Sequence, residues 1–514
     1  MRMSESRPAR TVGTVMIIML AGKLLGLART VTTASFLGTS AEMDAFTQAS
    51  LIPRGFLDFA FASAISSSFI PVFSDYLENR GRDGALRLAD SFVTLIFALS
   101  AAASVIMILF AEPLARMFAP GFSDDKIALT ADLLRVMLPT ICATALAFSV
   151  TGVLQSLGEF NVPAAMSVVS NVIVIAYMFL FMDRFGVVGL AWAFLIGWGT
   201  QLLIQLPPLF ARGYVPRPRF AFADDGMKRI GRLALPVMVS SWVFPINTLV
   251  GNSAVSAIES GQSALGYAGE LYSVVTGVFI LSVANVVFPA LSRSAANADE
   301  DGFGGTLRGT LRALFFLLPP MTAGMLALGR PIVELFYQRG SFDERSAELT
   351  VSALVMYVPG MLGFGVMTIL SRAFYAEGSG KAPLLTGVAA VAANAALAFP
   401  LAGAMGVGGA ALAATVSITL TAAVTVFVVK KKHPDILDKS DGLDLIKSVL
   451  LSAAMGGLVW RLSGMLTPNG FAGRLAALAG AVAVGCAAFM AGAYALGIKE
   501  ARMAYGFIKR GRGK

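Results

Sequence analysis

Glu112-Pro113-Leu114-Ala115-Arg116-Met117-Phe118 returns later in the chain as Arg330-Pro331-Ile332-Val333-Glu334-Leu335-Phe336, with Pro113 and Phe118 answered by Pro331 and Phe336 at an offset of 218 residues. Gly158 and Pro163 return as Gly378 and Pro383, and Gly186-Val187-Val188-Gly189-Leu190-Ala191 returns as Gly406-Val407-Gly408-Gly409-Ala410-Ala411, both at an offset of 220. Phe69-Ile70-Pro71 has a looser echo in Val287-Phe288-Pro289. Matches that drift by only two residues mark an internal duplication. In a hydrophobic chain, such a duplication is the sequence signature of a transporter whose two halves move about a central site.

The composition places the chain in a membrane. Hydrophobic residues make up 56% and charged residues 14%, with mean hydropathy +0.74; soluble domains hold about 45–50% and about 25%. The 52 glycines fit, because small residues let membrane helices approach closely. Cys142 and Cys486 lie singly in apolar runs and read as packing residues, neither zinc ligands nor a disulfide framework. The net charge of +9 is carried by loops between apolar stretches, so it points to membrane topology and not to nucleic acid.

Stretches of about 18 or more apolar residues mark spanning helices. They fall at 11–37, 44–73, 89–111, 128–156, 162–182, 187–210, 230–257, 263–291, 306–328, 347–375, 382–402, 406–429, 444–465 and 472–497. The expected fold is an all-α polytopic membrane protein with 14 transmembrane helices: two six-helix lobes and two C-terminal helices. The lobes are expected at 1–228 and 229–432, with 433–514 holding the last two helices and a basic tail. An even number of spans per copy gives both copies the same orientation, the parallel-repeat arrangement. With the N-terminus inside, 27 of the 40 basic residues fall on inner segments and 8 on outer ones. The bias predicts both termini in the cytoplasm of a multi-pass protein. The first apolar stretch contains Lys23 and Arg29 and does not read as a cleaved signal peptide.

Five basic residues remain within spans: Lys23, Arg29, Arg54, Arg135 and Arg372. Asp44, Asp58 and Glu270 are acidic at comparable depth. A charge at a helix centre costs roughly 2.5–3.5 kcal/mol, so several together imply partners or a water-filled pathway. Lys23 and Arg29 share one helix about 120° apart, and Gly22 and Gly26 bracket Lys23 at the spacing that admits a neighbouring helix. Asp44 opens the second span, where a carboxylate serves equally as helix cap or as functional group. Arg54 and Asp58 stand four apart after Pro53, ready for an internal ion pair. The following Ala60–Ser68 run is small and polar, suiting a cavity wall. Glu270 lies in the second copy's counterpart of the Asp44 helix and could take a proton, a cation, or a partner in the first half. Arg135 and Arg372 lie near span ends, where long side chains snorkel. The candidate substrate-binding set is therefore Lys23, Arg29, Asp44, Arg54, Asp58 and Glu270.

These motifs resemble the MurJ/MviN family of lipid II flippases, within the exporter superfamily that includes multidrug and polysaccharide flippases. The resemblance is carried by Gly26-Leu27-Ala28-Arg29, Phe36-Leu37-Gly38, Asp44-Ala45-Phe46, Ile52-Pro53 and Phe69-Ile70-Pro71-Val72-Phe73. In the second half it is carried by Phe288-Pro289-Ala290-Leu291-Ser292, Leu335-Phe336-Tyr337-Gln338-Arg339-Gly340-Ser341-Phe342-Asp343, Arg372-Ala373-Phe374-Tyr375-Ala376, Lys381-Ala382-Pro383, Asn394 and Gly406-Val407-Gly408-Gly409. It implies fourteen helices, a central cationic cavity for pyrophosphate and sugars, and a groove beside the last two helices for a polyprenyl tail. Lys23 stands where the family usually has a first arginine, and Arg29 and Asp44 match its second arginine and its aspartate. The family's helix-2 arginine falls near Leu57, with Arg54 one turn earlier as the substitute, and its helix-8 arginine aligns at Glu270. A sodium site would retain Asn394 and Thr415, but the carboxylate expected one turn after Asn394 reads Ala398.

The expected function is translocation of a polyprenyl-pyrophosphate-linked saccharide, lipid II, from inner to outer leaflet of a bacterial cytoplasmic membrane by alternating access. The rival within the same superfamily is an ion-coupled exporter of drugs or other lipid-linked saccharides, with Glu270 or Asp58 as coupling carboxylate. An enzyme is not expected, since His433 is the single histidine and lies in a basic loop. Membrane lipids are the expected partners, the protein acting as a monomer without a cofactor. Coupling to membrane potential, sodium or protons stays open. Pro53, Pro207-Pro208, Pro319-Pro320 and Pro359 are expected bend points.

Overall fold

The structure is a computed structural model that describes residues 6–55, 65–433, 436–465 and 470–503, and these form helices and connecting turns without a strand. Over its described residues, each of the fourteen expected segments falls mainly on helix. Among the described residues, eleven helical stretches are individually long and apolar enough to cross a membrane. One of them, Asn161–Ala211, has 51 residues. Straight, it would reach about 76 Å, more than twice a hydrocarbon core of about 30 Å. It turns at Gly186 (φ 55°, ψ −151°), a conformation open to glycine alone, and so holds two of the expected spans. The second expected span is divided into Ala41–Pro53, a π-helical turn Ile65–Phe69 and Ile70–Asn79; the seventh is divided into Asp225–Ser241 and Val243–Ala254.

The duplication read from the sequence is repeated in the backbone. Gly406 (φ 65°, ψ −144°) ends the helix Lys381–Met405 in nearly the conformation of Gly186, 220 residues earlier. Gly158 (φ 83°) and Gly378 (φ 74°) are a second such pair. Two further pairs join a glycine to a different residue: Gly38 (φ 54°) with Ser260 (φ 63°), and Gly81 (φ 70°) with Ala298 (φ 53°). Ser260 and Ala298 are the two non-glycine residues with positive φ among those described. The turns before the second and third spans of each copy thus hold a positive φ, on glycine in the first copy and on Ser260 and Ala298 in the second.

Proline breaks are paired as well. Pro139 separates Asp124–Met137 from Thr140–Ser156, and Pro359 lies in the 3-10 turn Val358–Gly360 between Glu344–Tyr357 and Met361–Ala376. Pro207-Pro208 opens the short helix Leu206–Ala211, and Pro53 ends Ala41–Pro53, after which residues 54–55 are π-helical. Pro319-Pro320 lies inside the helix Glu300–Phe336.

By contact the chain divides into two compact units, Met1–Ser263 and Ala264–Lys514. In the first, the helix Ser6–Leu37 lies along Asn161–Leu203. Here Gly22 and Gly26 form the close approach their spacing suggests: a Cβ on Gly22 would sit 2.3 Å from Ser167 Oγ, and Asn171 Nδ2 donates to the Gly22 carbonyl. One core gathers Phe46, Leu134, Met137, Ile141, Phe194 and Trp198; another gathers Phe69, Phe73, Leu88, Phe92, Val153 and Tyr214. Residues 225–257 belong to this unit: Arg229 pairs with Asp75 at 2.7 Å, and Ser253 Oγ donates to the Phe118 carbonyl at 2.6 Å.

In the second unit the last two long helices, Lys439–Met465 and Gly470–Ala495, pack on Glu300–Phe336 through Phe316, Leu328, Met455, Val459 and Phe489. A charged cluster closes one end of this packing. Arg308 pairs with Asp438 and Asp441, and Arg312 pairs with Glu500 at 2.6 Å. Within the Leu335–Asp343 motif, Tyr337 and Phe342 are buried against Tyr267, and Asp343 caps Glu344–Tyr357 by accepting from Ser346 N at 2.8 Å. That motif builds a turn.

Candidate functional site

Ser40 caps the helix Ala41–Pro53, its Oγ accepting from Met43 N at 3.1 Å. The cap leaves Asp44, one turn inside, for other work. Its carboxylate is 0% exposed. It accepts from Lys126 Nζ at 2.6 Å, from Ser263 Oγ at 2.6 Å and from Ser263 N at 2.8 Å. A buried carboxylate demands such compensation, because an unpaired ion in a low dielectric is prohibitive. Lys126 comes from the first turn of Asp124–Met137, and Ser263 ends the first unit. Asp44 therefore ties three segments of the chain together. Sequence reasoning counted Lys126 among loop charges and missed this role; its nearness to Asp44 depends on how two helices are rotated, which no local pattern encodes.

Arg29 and Arg54 are brought together on one aromatic ring. The Arg29 guanidinium lies 5.5 Å from the Phe194 centroid, and that of Arg54 lies 5.4 Å from the same centroid and 5.9 Å from that of Trp198. Phe194 stacks on Trp198 with centroids 4.1 Å apart and meets Phe46 edge-on at 5.5 Å. Ring faces carry negative quadrupole density that attracts a guanidinium, so these aromatics hold two like charges near each other. Arg29 is only 8% exposed; Arg54 is half-buried. Phe194 and Trp198 were not among the sequence candidates. Their one signal was aromatic side chains four apart on one helical face.

Lys23 lies on the helix of Arg29 and is exposed, so the two do not present a single buried pair. Asp58 lies outside the described residues, as do 56–64 in general. Glu270 is half-buried in the helix Gly261–Ala296 and belongs to the second unit. Arg135 is exposed and pairs with Asp132 at 2.6 Å, while Arg372 lies over the Phe288 ring at 5.3 Å. The span-end readings of those two arginines are compatible with these positions.

Asn394 and Thr415 are both buried in the second unit. The Thr415 hydroxyl donates to the Met356 carbonyl at 2.6 Å, and Ala398, where a carboxylate is needed, is itself fully buried. Beside Asn394 and Thr415, the position one turn on thus supplies no carboxylate.

Comparison with known proteins gives a consistent result. A profile of the family described as "Lipid II flippase MurJ" matches residues 33–480. A probable lipid II flippase of Vibrio cholerae is 29% identical over 497 residues, covering 93% of this chain and 94% of that protein. A probable lipid II flippase of Treponema pallidum is 31% identical over 390 residues, covering 74% of this chain and 73% of its own. Among solved structures, a lipid II flippase in an inward closed conformation superposes with TM-score 0.78 at 24% identity, covering 92% of this chain and 98% of that one. An inward-facing multidrug resistance transporter superposes with TM-score 0.69 at 16% identity over 82% of this chain and 98% of its own. At these identities the structural likenesses speak for the fold.

Proposed function

The chain belongs to the lipid II flippase MurJ family, and on that footing we propose that it carries a polyprenyl-pyrophosphate-linked saccharide, lipid II, across a bacterial cytoplasmic membrane. The observation that carries this reading is the convergence of Arg29 and Arg54 on Phe194. A diphosphate cannot cross hydrocarbon alone, because stripping its hydration without replacement is prohibitive. Two guanidinium groups replace that hydration with short, charge-assisted and bidentate hydrogen bonds. The aromatic faces behind them hold the cations in place before the anion arrives, and anion binding relieves their mutual repulsion. Lys23, exposed on the same helix as Arg29, extends the cationic surface toward the entering head group. Asp44 acts as a tie that fixes the helix bearing Arg54.

Both termini lie in the cytoplasm in this reading, and one chain suffices. The sequence copies run 1–228 and 229–432, with 433–514 appended, while residues 225–257 pack with the first unit. Membrane potential resets the empty carrier, one charge through 100 mV being worth about 2.3 kcal/mol. No chemical bond is made or broken. The test is complementation of a bacterial strain depleted of its own lipid II flippase. The wild-type chain restores growth, and Arg29→Ala/Arg54→Ala fails to do so at equal membrane abundance. Full rescue by that double variant refutes the assignment.

A further inference from the structure

The segment Tyr214-Val215-Pro216-Arg217-Pro218-Arg219-Phe220-Ala221-Phe222 joins Leu206–Ala211 to Asp225–Ser241 and takes no part in the site above. It runs extended along the helix Gly81–Leu109. Arg217 N donates to Asp90 Oδ1 at 3.0 Å, and Arg219 N donates to Thr94 Oγ1 at 3.0 Å. The register is natural, since two extended residues and one helical turn each advance about 6 Å. Pro216 and Pro218 have no N–H to donate. From 216 to 219, every backbone donor is thus either bonded or absent. Non-helical backbone needs that property where water is scarce, at the edge of the hydrocarbon.

Depth along the helix agrees. Residues 91–109 rise roughly 28 Å, one hydrocarbon thickness, and a span of that length ending with the helix at Leu109 would put Asp90 at the boundary and Thr94 just inside it. Further along the helix, Phe97 and Leu99 are exposed, while Leu95 and Ile96 pack against the core. Both ends of the segment are pinned: Tyr214 is buried in the core, and Asp224 accepts from the Tyr76 hydroxyl at 2.8 Å. Between them Arg217, Arg219, Phe220 and Phe222 are exposed, Phe220 to 75%, with the two phenyl rings edge to face at 5.9 Å. Two cations on backbone whose donors are bonded or absent, followed by two exposed aromatics, fit the headgroup and acyl layers of an anionic leaflet.

We propose that residues 215–222 are an interfacial anchor for anionic phospholipid, with Arg217 and Arg219 taking headgroup phosphate and Phe220 and Phe222 entering the acyl boundary. The test places the photocrosslinking amino acid p-benzoylphenylalanine at Phe220 in the full-length protein. The protein is then reconstituted in nanodiscs of phosphatidylcholine containing phosphatidylglycerol, and adducts are identified by mass spectrometry. Lipid adducts form, with phosphatidylglycerol enriched about threefold or more over its mole fraction. Arg217→Gln/Arg219→Gln in the same background returns phosphatidylglycerol to its mole fraction while acyl-chain adducts persist. The same probe at Phe97, on the lipid-facing helix, reports the mole fraction throughout. Absence of lipid adducts at Phe220, or adducts without phosphatidylglycerol enrichment, overturns the proposal. Neither readout depends on transport.

Discussion

Asp44 and Arg29 are buried charges of the first unit and Arg54 is half-buried, and the carboxylate and the arginine pair should respond differently to mutation. Asp44 satisfies three donors from two other segments, so its loss strands a largely buried Lys126. Asp44→Asn is expected to destabilise the protein by about 3 kcal/mol, the usual cost of breaking a buried pair from one side. Adding Lys126→Met should recover part of that loss, because the stranded cation is then gone; thermal unfolding in detergent of both variants tests this non-additivity. Arg29 and Arg54 rest on aromatic faces, and changing each to Gln is expected to cost less in the same melts, about 0.5–2 kcal/mol for a lost cation–π contact. These two patterns could not both be read from the chain. Arg29 and Arg54 stood out because charge in an apolar span is costly. Their shared partner, Phe194, depends on how three helices are rotated about their axes.

At the scale of turns and helices, the duplication was the legible part. Gly186 and Gly406 were matched by sequence alone and adopt the same glycine-only conformation. Gly186→Ala and Gly406→Ala should each cost about 1–3 kcal/mol by forcing a Cβ into that region, whereas Gly199→Ala, helical with open space around it, should be neutral or slightly stabilising. The reverse experiment applies to Ser260 and Ala298, which hold positive φ where the first copy has glycine. Ser260→Gly and Ala298→Gly are expected to stabilise by up to about 1 kcal/mol, read as a rise in melting temperature. These two turns were invisible beforehand, because the residue that would have marked them has been replaced. The loop at 214–222 was hidden for a different reason. Its alternation of proline and arginine gains meaning only when the intervening N–H groups are seen bonded to the helix beside them.

Across each unit as a whole, charge clusters outside the apolar spans close the helix ends. In the second, Asp438 accepts from Ser440 Oγ and Asp441 N and pairs with Arg308. Those hydrogen bonds, the Ser440 hydroxyl foremost, hold its carboxyl well below the usual range. A carboxyl shifted down in the folded state adds stability that is complete above the ordinary aspartate value of about 4 and is lost as pH falls below it. Hydrogen-exchange protection of residues 436–442, relative to the intrinsic rate at each pH, should therefore fall in acid before that of the long helices, and Asp438→Asn should show the lower protection already at neutral pH.

The central claim concerns what the Arg29–Arg54 pair holds, and translocation of lipid II in proteoliposomes tests it most directly. Purified wild-type protein should move lipid II between leaflets. Arg29→Gln/Arg54→Gln should slow that movement by about tenfold or more, on the scale of lost charge-assisted hydrogen bonds. Transport by the folded double variant at the wild-type rate would contradict the account.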